Sequence, residues 1–419
     1  MKAAFLLLLL FPLAAHAGDT LTVQQCRDLA VKNSPLQQKK LYAESISALQ
    51  ISNLRSNSLP RISLGAQATW QSDVFGLPFK FPGSEIPTVP KDQYRLSADV
   101  AQRIWDGGTD RYLRQQRELE RDIAAAQADV DVFALREIVT ELYFNILLLR
   151  ESEAVLAAAK ADLQTRLRQA EAAVAEGATL RTHADQIKIQ MLKTEQQISA
   201  AQSDQAALMT VLAKWMSREN ADFQVIAPAA EPIAPPAQRE GRPELRLFDL
   251  QQKSFQLQKD RLALLRQPRI EAFAQAGFGR PNPFNFFETG FEPFALVGLR
   301  AAWTPVDWGN RKRDAQVFDL QAKNVEAQRQ FFDQRLEAST LKYRADAAKW
   351  QAQLTQDDAL IALQQDIVRR ADAQVKNGVM TMTDYLAQVN LLTQAQLTRK
   401  AHEVQAAQAR EMERARLGG

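Results

Sequence analysis

From Pro60 to Trp70 the side chains alternate, Ile62, Leu64, Ala66, Ala68 and Trp70 falling on one parity and Arg61, Ser63, Gln67 and Thr69 on the other. Period-two alternation over about ten residues predicts a strand of the length that crosses a bilayer at a tilt. A second such run goes from Tyr94 to Ile104, with Tyr94, Leu96, Ala98 and Val100 set against Arg95, Ser97 and Asp99. A further pair begins at Pro268-Arg269-Ile270, where Ile270, Ala272, Ala274, Ala276 and Phe278 keep the same phase. Soluble sheets contain such segments too, so the weight lies in their place within a larger repeat.

The other pattern is helical. Thr20 to about Asn57 predicts a helix, with Leu29, Leu36, Ile46, Leu49 and Leu54 among polar neighbours and Pro60 ending it. Between the first two strands, Gln71 to Gln93 holds Gly76, Pro78, Pro82, Gly83, Pro87 and Pro90, the composition of a loop. Trp105-Asp106-Gly107-Gly108 then marks a turn, and from Thr109 to about Ala175 there is neither proline nor glycine. Val132, Leu135, Val139, Leu142, Ile146 and Leu149 recur there at spacings of 3 and 4, the seam of a coiled coil. An alanine-rich run follows, Glu176-Gly177-Ala178-Thr179 interrupts it, and a returning helix spans about Arg181 to Trp215.

After a proline-rich stretch the plan recurs. Pro35 to Pro60 and Pro243 to Pro268 are both 25 residues, and Ile104-Trp105-Asp106-Gly107 matches Val306-Asp307-Trp308-Gly309. Gly107 to Gly177 is 70 residues and Gly309 to Gly378 is 69, the second long helix breaking at Lys376-Asn377-Gly378. The division is therefore a secretory signal over 1–17, a first repeat over 18–217, a linker over 218–241 and a second repeat over 242–419. The signal rests on Lys2, the apolar run Ala3 to Ala15 and the Ala15-His16-Ala17 cleavage pattern.

The fold class is mainly helical with four strands per chain. The long helix is roughly 100 Å at 1.5 Å per residue, so two shorter helices placed end to end can pair with it as an antiparallel strut. No later stretch reaches the ~18 apolar residues of a membrane helix, so entry into a membrane would have to be by strands. Four strands cannot close a barrel, and an open edge in lipid leaves backbone groups unpaired. Two chains supply eight strands and three supply twelve; an eight-stranded barrel fills with its own side chains, so a duct favours at least three.

Composition adds mainly exclusions. A net charge of +3, with 24% charged residues in 419, gives no reason to expect nucleic acid. Cys26, without a lipobox before it, reads as a small buried residue, and with only His183 and His402 beyond the signal it cannot build a metal cluster. No nucleophile elbow or phosphate-binding loop occurs, so neither an enzyme nor a cofactor is expected.

Several motifs carry a resemblance. Leu21-Thr22-Val23-Gln24-Gln25-Cys26 through Asn33-Ser34-Pro35, the Ile104-Trp105-Asp106-Gly107-Gly108 turn and the two tips Glu176–Thr182 and Asn377–Asp384 resemble the TolC family of outer-membrane efflux proteins. The resemblance implies a homotrimer with a 12-stranded β-barrel in the outer membrane and a long antiparallel coiled-coil helical barrel reaching into the periplasm. It implies a passive duct in a tripartite efflux or secretion system, partnered by a periplasmic adaptor (membrane fusion) protein, an inner-membrane pump and outer-membrane lipid. The alternatives are a periplasmic adaptor, which would show one hairpin between β-rich halves, and a coiled-coil scaffold, which the alternating strands speak against. Within the resemblance, Asp384 is the candidate channel gate, its competing role being a helix-terminal aspartate favoured by the dipole. Ala387 stands where some members carry a second aspartate, and His183 is its counterpart in the first copy. The expected adaptor contacts are Gly177, Ala178, Thr179, Leu180 and Arg181 with Gly378, Val379, Met380 and Thr381. Trp70, Trp105, Trp303 and Trp308 suit an interfacial girdle, and Phe284, Phe286, Phe287 and Phe291 have no assigned role.

Overall fold

The computed structural model describes residues 19–75, 88–228, 241–285 and 288–417. The expected signal segment, the middle of the first outer loop, much of the linker and Phe286 and Phe287 lie outside the described residues. The elements run β1 (Asp19–Leu21), α1 (Val23–Asn33), a 3-10 turn (Pro35–Gln37), α2 (Gln38–Ser56), β2 (Arg61–Trp70), β3 (Asp92–Trp105) and α3 (Thr109–Ala175). They continue with α4 (Arg181–Trp215), β4 (Phe223–Val225), α5 (Pro243–Leu264), β5 (Arg269–Arg280), β6 (Glu292–Ala302), α6 (Asn310–Lys376) and α7 (Met382–Leu417). The chain forms two compact units, one from 1–37, 128–243 and 331–419, the other from 38–127 and 244–330. Each unit therefore draws on both sequence repeats, and α3 and α6 each run through both.

The single helix expected over 20–57 is two. Thr22 caps α1 reciprocally with Gln25: the Gln25 amide donates to Thr22 Oγ1 at 3.2 Å and the Thr22 amide donates to Gln25 Oε1 at 2.8 Å. Ser34 is extended (φ −65°, ψ 131°) because the ring of Pro35 disfavours helical geometry in the residue before it.

In the second unit the four long strands form one antiparallel sheet in the order β2-β3-β5-β6. The register keeps Ile62, Leu64, Val100, Ala274 and Val297 on one face and Ser63, Asp99, Gln275 and Glu271 on the other. The apolar face is open among the described residues: Leu64 and Val297 are both 80% exposed. Among the described residues β2 and β6 are each paired on one side only. A bulge between Arg103 and Trp105 returns Trp105 to the apolar face opposite Ile270. Alongside the sheet α2 bonds to α3 (Ser47 Oγ to the Arg117 carbonyl, 3.2 Å) and α5 to α6 (Lys259 to Asp319, 2.7 Å).

The two strand-to-helix turns correspond through their aspartates. Asp106 accepts from the amides of Gly108 (2.8 Å) and Asp110 (2.6 Å), and Asp307 accepts from those of Gly309 (3.2 Å) and Arg311 (3.0 Å). These caps make Gly108, not Gly107, the counterpart of Gly309, which corrects the spacing of 70 to 69 in both copies. Accordingly α3 and α6 are both 67 residues long. The Arg311 side chain and amide hold the Asp307 carboxyl down at about 2.

The first unit contains a core that the strut reading did not foresee. β1 and β4 pair in parallel, Asp19 opposite Phe223 and Leu21 opposite Val225, so part of 218–241 is strand. Cys26, Val139, Tyr143, Ile146, Leu212, Met216 and Val225 are buried around this pair. Tyr143 ties it together: its hydroxyl lies 2.9 Å from the Leu21 carbonyl and accepts the Ile226 amide at 3.0 Å. The stripe of α3 that faces inward is thus Val139, Tyr143, Ile146 and Leu147, while Leu142 and Leu149 are only partly buried. Arg27, almost fully buried, donates to Thr140 Oγ1 at 2.8 Å and meets Glu411 at 3.1 Å, joining α1, α3 and α7. Burial pushes the Cys26 thiol up to about 12, as expected of a packing residue.

Candidate functional site

Both helical hairpins reverse at a glycine in the left-handed region, Gly177 at φ +70° and Gly378 at φ +72°. The two turns share one hydrogen-bond pattern. Gly177 N–H donates to the Val174 carbonyl (3.1 Å) and Ala178 N–H to the Ala173 carbonyl (2.8 Å). Gly378 and Val379 repeat these bonds to Val375 (3.0 Å) and Gln374 (2.9 Å). This is the Schellman motif, which satisfies the last carbonyls of α3 and α6 and requires an αL residue after the cap. A Cβ at either glycine would meet nothing within 4 Å, so the need there is conformational, not steric.

Of the predicted tip residues, Gly177, Ala178, Leu180, Arg181, Gly378, Val379 and Thr381 are exposed, and Thr179 and Met380 half-buried. Leu180 and Val379, 67% and 77% exposed, put apolar side chains at the very end of each hairpin. Thr381 caps α7, accepting the Asp384 amide at 3.1 Å while its hydroxyl donates to Asp384 Oδ2 at 2.6 Å. Asp384 is therefore the third residue of α7, in its first turn, because Gly378 to Thr381 are used in the reversal. Its carboxylate is exposed and next to the helix N-terminus, where the dipole favours it. In the first copy Leu180 offers no side-chain cap, and His183 pairs instead with Thr179 Oγ1 at 2.8 Å.

Behind the tips the two hairpins are fastened to each other. Leu163, Leu167, Ile187, Val368, Tyr385, Leu386 and Val389 bury one another. Arg166 of α3 bonds to Asp162 at 2.8 Å and to Asp372 of α6 at 2.6 Å, and lies 4.9 Å over the Tyr385 ring of α7. Burial opposes ionisation of Asp372, but Lys376 and Arg166 outweigh it and hold the carboxyl below its usual value. Burial raises the Tyr385 phenol, whose hydroxyl has no hydrogen-bond partner among the described residues. Gln186 to Thr383 (3.1 Å) and Asn390 to Gln190 (3.3 Å) link α4 to α7. Sequence reasoning missed this clasp; the available signal was Asp162 four residues before Arg166 on an otherwise alanine-rich stretch.

Among the described residues no helix is long and apolar enough to cross a membrane. Residues 27–216 match the family described as outer membrane efflux protein. No curated protein matches the sequence. CusC superposes with a TM-score of 0.71 at 13% identity, over 95% of this chain and 92% of that one. VceC from Vibrio cholerae gives 0.67 at 13%, over 95% and 96%, and the open state of MtrE from Neisseria gonorrhoeae 0.65 at 17%, over 95% and 89%. Residues 27–216 thus carry the sequence signature of the outer membrane efflux proteins, and nearly the whole chain shares the fold of these solved outer-membrane proteins.

Proposed function

We propose that this chain is the outer-membrane component of a tripartite efflux or secretion system, a passive duct for solutes handed on by an inner-membrane pump through a periplasmic adaptor. The observation that carries this is the sheet: four strands of 10 to 14 residues, one face apolar and exposed, both edges unpaired, each strand pair followed by a 67-residue helix. In lipid the unpaired edges would cost several kcal/mol per backbone group, which association with further copies removes. Three copies complete twelve strands around an open lumen. Exposed apolar stripes on the helices, Leu41, Ile46 and Leu49 on α2 and Leu360, Leu363 and Ile367 on α6, suit lateral packing between copies. Trp70 ends β2, while Trp105 and Trp303 lie at the other end of the sheet, as an aromatic girdle requires. An adaptor, with one hairpin between β-rich halves, fits two hairpins per chain poorly.

The mature protein purified in mild detergent is expected to have the mass of three chains; a stable monomer would overturn the reading. The tips would be the adaptor's docking points, through Leu180, Arg181 and Val379. Asp384 is the proposed gate residue, one carboxylate per chain at the mouth. In single-channel recordings Asp384→Ala should lower cation preference and weaken block by divalent cations, modestly because Ala387 adds no second ring. Unchanged selectivity and block would leave Asp384 with its capping role alone.

A further inference from the structure

The polar face of the sheet is unevenly neutralised. Toward the outer loops Arg280 meets Asp92 at 2.8 Å, and Arg95, Gln275 and Asp99 form a hydrogen-bonded chain. At the end next to the long helices, three successive rows hold Arg61 (paired with Ala101), then Arg103 with Glu271 and Arg300, then Arg269 with Ala302. Four guanidinium groups thus stand within roughly 13 Å along the strands, with one strand carboxylate, Glu271, among them. Their pairing is loose. Arg103 reaches Asp110 at 3.5 Å and Arg300 reaches Glu271 at 3.7 Å. Arg61 and Arg269 are exposed and have no hydrogen-bond or ion-pair partner among the described residues. Arg103, Arg269, Arg300 and Glu271 line a cavity of about 320 Å³; Asp106, on the same cavity, is occupied in capping α3.

We propose that this arginine belt is an anion-binding site that takes phosphate- or carboxylate-bearing solutes where they would enter the barrel. The role in transport rests on reading the polar face as the lumen of the duct; the binding chemistry does not. Guanidinium groups present paired donors that match carboxylate and phosphate oxygens, and a cluster of one sign between low-dielectric walls concentrates the opposite ion. The belt has the opposite sign to Asp384, so the two would act on different ions.

Calorimetric titration of inorganic tripolyphosphate into the purified full chain in detergent tests it. Wild type should bind saturably and more weakly as salt rises. Arg61→Gln/Arg269→Gln, which removes only the unpaired charges, should bind at least about fivefold more weakly, the effect of one unit charge at close range in water. Arg61→Lys/Arg269→Lys should recover most of the affinity. Absence of binding by wild type, or equal binding by the glutamine variant, overturns the site. The mass of the same samples separates the two readings: a monomer that still binds through these arginines overturns the duct and keeps the anion site.

Discussion

Val139→Asp is expected to prevent the first unit from folding and to leave little or no assembled protein in the outer membrane. Val139 is fully buried in the cluster that includes Cys26, Tyr143 and Leu212. Removing its side chain from the core forfeits about 1.5–3 kcal/mol of burial, and an unpaired carboxylate in its place costs several kcal/mol more or is forced to protonate. Together these approach the whole stability of a domain, about 5–15 kcal/mol. Leu142→Asp, one turn further along the 3-4 pattern, should be milder, because Leu142 is only partly buried. Thermal melts of the two variants, with membrane yield, give the comparison; a Val139→Asp protein as stable as Leu142→Asp would mean that the inward face of α3 has been misassigned.

The second large effect is expected at Gly277→Ala in β5. A Cβ there would sit 2.0 Å from the Leu96 carbonyl oxygen and 2.9 Å from Ser97 Cα, both backbone atoms of β3. No side-chain rotation relieves that clash. Strands β3 and β5 must part, and theirs is the junction between the hairpin of the first repeat and that of the second. The cost should reach or exceed about 3 kcal/mol, the upper end for overpacking. Gly65→Ala is the control: its Cβ would meet only Ser97 Oγ, at 3.5 Å, an ordinary contact. Heat stability of the oligomer in detergent measures both, and equal stability of Gly277→Ala and Gly65→Ala would contradict the β3–β5 register.

The strands, the long helices and their reversals were legible because each is a local pattern. Alternation at Ile62–Trp70 reports one face of one strand, and the lack of proline and glycine over 109–175 permits one continuous helix. Glycine before a new helix at 177 and 378 likewise marks its own turn. What escaped depends on residues far apart. Phe223–Val225 is too short to show periodicity and becomes a strand only because Asp19–Leu21 lies beside it. Tyr143 looks like an interruption of a leucine seam until the carbonyl of Leu21 and the amide of Ile226 supply its polar partners. Arg27 and Glu411 are 384 positions apart, and nothing local says that a charge so near a capping box is buried. The break at Ser34 had a visible cause in Pro35, but proline is tolerated in a first turn, so its presence alone did not separate two helices from one. The tip residues were placed by the turns, whereas the Arg166 clasp needed three helices at once.

The equal lengths of α3 and α6 impose a rule on how this chain can change. A helix is a screw: adding one residue advances everything beyond it by about 1.5 Å and turns it by about 100°. A single insertion in α3 would therefore swing its hairpin tip off the Arg166–Asp372 contact and expose part of the Leu163–Tyr385 cluster. Matched insertions in both helices keep the tips level, and matched steps of seven, which nearly complete two turns, also keep their rotation. Lengthening or shortening the protein to span a different periplasm is thus a change made in pairs.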